Sequence, residues 1–292
     1  MFRWIGALIL AVSCTTASEL VVRADEKSDL AAKQKETALA NLMKLDFKTS
    51  ASAATGDILV VGTVTEKEAK SLADLFQKQY TLVTKALKFD AQDKQIQGKM
   101  TIYCFTTKRE YATFARLIRK ERPEANETST HDVSGDDCFV ALVVESSANS
   151  LIDPEIASTL GVALLERKTG IDILPAWVKI GFRKAVAMRI DPKFATTTRT
   201  AVKALMTNKS KSEMVKITDT WQGESPDKLI LAATLMDYMA FGSDSTKLIS
   251  FLSGYKPSED VPTPGVMQAL MAASLKEADL EKNWRNYVIK GK

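Results

Sequence analysis

Two hydrophobic periods alternate along the first part of this chain, and only one continues to its end. Short apolar runs of strand length fall at residues 58–64, 99–106 and 138–144. Between them, apolar positions recur three and four apart. The stretch after the first run opens Thr65-Glu66-Lys67-Glu68, a capping box. It predicts a long helix to about residue 89, with Leu72, Leu75, Phe76, Gln79, Tyr80, Val83 and Leu87 on one face. Residues 108–120 repeat that period and turn Tyr111, Phe114, Ala115 and Ile118 to the core. Residues 25–45 carry a looser stripe, read as a peripheral helix, before a small-residue linker at 49–56; residues 123–137 read as a polar loop. After residue 190 the pattern is helical throughout, with segments at 194–206, 212–220, 226–241, 245–253, 265–273 and 276–289. This order predicts an α+β protein: a small twisted sheet with packed helices over residues 56–190, then an all-helical part over 191–292.

The joint between the two parts is a helix pair at residues 154–168 and 175–190. Asp153 is an N-cap, Pro154 fits the first helical position, and Gly170 lies where a stop is expected. The middle of the first helix is apolar on nearly every side apart from Ser158, Thr159 and Gly161, so it belongs in an interior. Pro175 starts the second helix and Asp191-Pro192 stops it. Gly181 inside a helix costs about 1 kcal/mol relative to Ala, a cost that close helix packing explains.

Leu174, Pro175, Trp177, Gly181 and Ala185 make this pair resemble the core of the gluzincin peptidase MA-like family. Its first helix carries H-E-x-x-H and its second a run similar to L-P-x-W-x-x-E-G-x-A. The order of strands and helices before the pair, and the closing Leu280…Trp284 helix, resemble the family too, so the likeness covers residues 56–290 and implies a zincin-like sheet. In the register it implies, the two histidine ligands become Ser158 and Val162, the general base becomes Thr159, and the glutamate ligand becomes Ile180. That chemistry needs two imidazoles at i and i+4 on one helix face, and a carboxylate to activate the bound water. A hydroxyl, an isopropyl group and a hydrocarbon side chain supply none of it. The whole chain contains one histidine, His131, so a zincin with two histidine ligands is excluded by counting. The resemblance therefore implies a metal-free pseudopeptidase without cofactor. Its cleft would bind an extended polypeptide, laid along the last strand, or another envelope protein. A hydrolase with a rebuilt non-zinc site and a purely structural exported module are the alternatives.

Composition narrows the setting. The hydrophobic share of 45% and charged share of 26% are those of a globular protein. Residues 1–3 followed by the apolar run 4–13 read as a signal peptide too short to span a bilayer, with cleavage expected after Val22-Arg23-Ala24. An exported, periplasmic or extracellular protein follows; lipidation at Cys14 is a lesser reading, because Ala11-Val12-Ser13 fits the lipoprotein motif poorly. Removing residues 1–24 takes away Arg3, Arg23 and Glu19 and moves the net charge from +4 to +3, too weak a balance to argue for nucleic acid. Cys104 and Cys138 sit in predicted strands; a disulfide between them requires those strands to be neighbours, and two buried thiols in a sheet are the alternative. His131 has no G-x-S-x-G elbow to serve, Ser158 is expected to bond a carbonyl one turn back, and Asp136, Asp137 and Glu166 are carboxylates without partners at metal-ligand spacing, read as a solvated loop and a helix end. Asn126-Glu127-Thr128 and Asn208-Lys209-Ser210 fit the short glycosylation pattern.

Overall fold

The computed structural model describes residues 15–47, 50–90, 96, 98–144, 152–207, 216–218 and 225–291, with side chains from residue 29 onward. The apolar run at 4–13, Cys14, the 208–210 pattern and most of the 212–220 segment lie outside the described residues. In chain order the first part has α1 (Thr15–Lys44), β1 (Ala51–Thr55), β2 (Ile58–Gly62), α2 (Glu66–Ala86), β3 (Met100–Phe105), α3 (Lys108–Phe114), β4 (Ser129–Asp132) and β5 (Phe139–Val143). The second has α4 (Pro154–Ala157), α5 (Thr159–Thr169), α6 (Ala176–Ile190), α7 (Pro192–Thr207), α8 (Pro226–Phe241), α9 (Leu248–Ser253), α10 (Val266–Ala272) and α11 (Glu277–Lys290). The fold is α+β, with helices making up the described carboxy-terminal half.

The sheet has the order β1-β2-β3-β5-β4. β2, β3 and β5 run parallel; β1 and β4 are antiparallel strands at the two edges. Parallel neighbours need crossovers, which α2 and α3 supply. The box at Thr65 forms as expected, with Glu68 returning to the Thr65 backbone, and α3 opens with a second one between Thr107 and Glu110. α3 ends in a wider π turn over Ala115–Arg119, closed by Lys120 at φ 62°.

Strand alternation feeds two cores. Val60, Ile102, Cys104, Val140 and Leu142 face α2 and the helix pair. Leu59, Val61, Tyr103, Phe105, Ala141 and Val143 face the other way, where Ala38 and Leu42 of α1 and Tyr111 and Phe114 of α3 cover them. The residue 25–45 stripe is thus the cover of a sheet face. Gln79 stands among the apolar residues of α2, fully buried, and neither amide atom has a hydrogen-bond partner among the described residues.

Several expectations need correction. The linker at 49–56 is strand β1, whose small residues carry no apolar alternation; the two-residue turn with Gly56 at φ 51° folds it onto β2. The polar loop at 123–137 contains β4, which needs little apolar character because it is an edge. The first helix of the pair is split at Ser158, where φ −71° and ψ −1° and a Gly161 N–H bond to the Ser158 carbonyl tighten one turn. Cys104 and Cys138 are two free, buried thiols, not a disulfide. Their strands are neighbours, but Cys104 lies opposite Leu142, and Cys138 precedes Phe139, the partner of Thr101. Four residues of offset is about 13 Å along a strand, and a disulfide needs its Cα atoms within about 7 Å. Burial pushes both thiols up from their ordinary pKa.

Gly181 behaves as expected. A Cβ there would stand 2.8 Å from the Ala232 carbonyl oxygen and 2.9 Å from Met236 Cγ, so its absence lets α6 and α8 pack backbone to backbone. Pro175 caps α6, and Trp177, two residues on, packs edge-on against Phe251 at 6.4 Å.

Candidate functional site

The face of α5 that carries Thr159, Val162 and Glu166 follows from helical spacing, positions 0, 3 and 7, with Ser158 just ahead of it as the residue that caps the helix. β4 lies across it. Thr159 and Ser129 join hydroxyl to hydroxyl at 2.9 Å, and His131 Nε2 stands 2.8 Å from Glu166 Oε2. From α6, Lys179 Nζ reaches Glu166 Oε1 at 3.1 Å. Arg167 adds hydrogen bonds to the carbonyls of Val133 and Gly135 at 2.9 and 3.1 Å, just after β4. One carboxylate therefore ties three elements together: the edge strand, α5 and α6.

Glu166 is buried, its side chain 9% exposed. Burial alone would raise its carboxyl, but the hydrogen bond and charge of His131, and then those of Lys179, outweigh it and hold the pKa below its ordinary value. The group is an ionised acceptor with both oxygens occupied. The sequence predicts a helix-end carboxylate without partners at metal-ligand spacing; the structure adds a hydrogen bond with His131 and an ion pair with Lys179. Spacing places Glu166 on the Val162 face of α5, but its partners come from β4 and α6.

The four positions that the resemblance aligns with the zinc motif behave differently from one another. Ser158 is completely buried and its hydroxyl donates to the Glu155 carbonyl at 2.8 Å, as expected of a serine inside an apolar helix. Thr159 is spent on Ser129. Val162 is 8% exposed and Ile180 half-buried, and both lie apart from the main core that takes Leu160, Ala163, Leu164, Val178 and Phe182 from the same two helices. His131 is engaged with Glu166, not with Ser158, so the pair does not assemble as nucleophile and base. Among the described residues, no group of three or more His, Cys, Asp or Glu side chains is placed to hold a metal ion.

Asp132, which follows His131 in β4, and Asp136 and Asp137 line a cavity of about 490 Å3 between α1 and the second sheet face. Asp132 takes the Ser134 N–H and hydroxyl at 2.9 and 2.6 Å. Among the described residues, no helix is long and apolar enough to cross a membrane. Comparison with protein-family models, curated proteins and solved structures finds no match to this chain.

Proposed function

We propose that this protein is an exported, catalytically inactive, peptidase-like binding protein that receives an extended polypeptide along the outer edge of β4. The observation that carries the reading is the orientation of that edge. The Val143 N–H bonds the Thr128 carbonyl, which makes Thr128 and Val143 a hydrogen-bonded pair; the alternation of an antiparallel ladder then turns the main-chain groups of Ser129 and His131 away from β5. An edge strand with outward amides and carbonyls is a template for one more strand. The gluzincin-like ancestry is supported by the same arrangement, an antiparallel edge strand over a helix pair whose second member opens Pro175, Trp177 and Gly181. Inactivity is supported by side chains at 158, 159, 162 and 180 that offer no imidazole and no carboxylate.

The test is titration of the protein with an extended, unstructured peptide and with the same peptide N-methylated at alternate residues. Binding of the first and loss of binding by the second is the expected result, because strand addition needs the peptide's own N–H groups. Equal binding of both would sink the edge reading. A purely structural module is the second reading, favoured by how firmly Glu166 bridges β4 to the helices; binding of neither peptide would support it.

A further inference from the structure

A second cavity, of about 380 Å3, lies where α2, α6 and α8 end together, on a part of the molecule the β4 reading does not use. Its apolar part comes from Leu82, Ala86 and Phe241, and its charged part from Lys85, Lys88 and Arg189; no Asp or Glu lines it. The volume is within the range of small-molecule sites, and an apolar wall with a few converging polar groups is their usual composition.

The charges are not neutralised from below. Asp237 is completely buried, yet it accepts from Arg189 at 2.6 Å, from Arg199 at 2.9 Å and from the Tyr287 hydroxyl at 2.7 Å. One carboxylate against two guanidinium groups leaves a net positive charge behind the cavity. Lys88 Nζ donates to a neutral group, the Thr246 carbonyl, at 3.0 Å, so its charge persists. The Lys85 side chain makes no hydrogen bond or ion pair among the described residues. Lys88 lies just beyond α2 and lines the cavity beside Lys85.

We propose that this cavity binds a small organic anion, one with a carboxylate or phosphate head and a short apolar tail. Lys85 and Lys88 would meet the head, Arg189 would add long-range attraction, and the tail would lie against Leu82, Ala86 and Phe241.

The full chain is titrated by calorimetry with octyl phosphate, octanoate, inorganic phosphate and octylammonium, all below micelle-forming concentrations. Octyl phosphate and octanoate are expected to bind more tightly than inorganic phosphate, which lacks the tail, and octylammonium is expected not to bind. Lys85→Glu with Lys88→Glu should weaken octyl phosphate at least about tenfold, the loss expected of one charge-assisted contact. Lys85→Gln, a milder change at an exposed position, should weaken it less and leave the melting temperature unchanged. Octylammonium binding as tightly as octyl phosphate, or undiminished affinity in a folded double variant, would overturn the proposal. So would capture by phosphatidylglycerol vesicles with no uptake of monomeric octyl phosphate.

Discussion

At Glu166 a single carboxylate receives Lys179 and His131 while its side chain is only 9% exposed. Hydrogen bonds to charged groups contribute about 1.5–3 kcal/mol each before neighbouring exposure is discounted, and His131 and Lys179 are 20% and 27% exposed in their side chains. Glu166→Gln is therefore expected to lower stability at neutral pH by about 1–3 kcal/mol, read from urea unfolding. The pH dependence has a fixed sign. The folded pKa is depressed below the unfolded value of 4.5, so the contribution is complete above that value and is lost as pH falls through the folded pKa. The difference between wild type and Glu166→Gln should hold from pH 7 to about pH 5 and shrink toward zero below it. A difference that persists at pH 2 would show that shape, not charge, makes the contribution.

Helix α6 meets α8 through Gly181, and two opposing effects can be weighed there. Alanine would gain about 1 kcal/mol of helix propensity, but its Cβ would sit inside contact distance of a backbone carbonyl that cannot move without shifting α8. Overpacking of that kind costs about 1–3 kcal/mol, so Gly181→Ala is expected to lower the denaturation midpoint, not raise it. The helix pair also tests the ancestry. Ser158→His, Thr159→Glu, Val162→His and Ile180→Glu in one chain should create zinc affinity measurable by calorimetry; a folded quadruple variant that takes up no zinc would place the register elsewhere. Legibility followed the same physics at this level. The apolar strands β2, β3 and β5, the capped helix α2 and the segment Pro226–Phe241 were readable because burial on both faces, or a cap at Thr65 and a proline at the start, leaves a mark in composition. β1 and β4 were not, because an edge strand of Ala, Ser, Thr, His and Asp satisfies its backbone through one neighbour and shows no alternation. The Glu166 bridge was not legible because its partners are 35 and 13 residues away along the chain, and only the packing of β4 and α6 against α5 brings them together.

Across the whole molecule, the helical half is joined by polar contacts as well as apolar ones. Asp237 on α8 collects Arg189 from α6, Arg199 from α7 and Tyr287 from α11. Burial first, and then the Asp237 charge, raise the Tyr287 phenol, which keeps it a donor. Removing the acceptor leaves two guanidinium groups and a phenol without it; breaking a buried pair costs about 3–5 kcal/mol, and the partly exposed arginines place Asp237→Ala near the lower end. Denaturant titration should show that loss as one cooperative step, since all four helices share the contact. The amino-terminal side has a different dependence, set by α1. Ala38, Leu42 and Leu45, beside Tyr111 and Phe114 of α3, help keep Leu59, Val61, Phe105 and Val143 dry on their side of the sheet. A protease cut near residue 24 would spare that seal, whereas one beyond residue 45 would strip it. The shortened chain would then carry a wet hydrophobic slab, and its fate would be sticking to its own copies before any question of ligand arose.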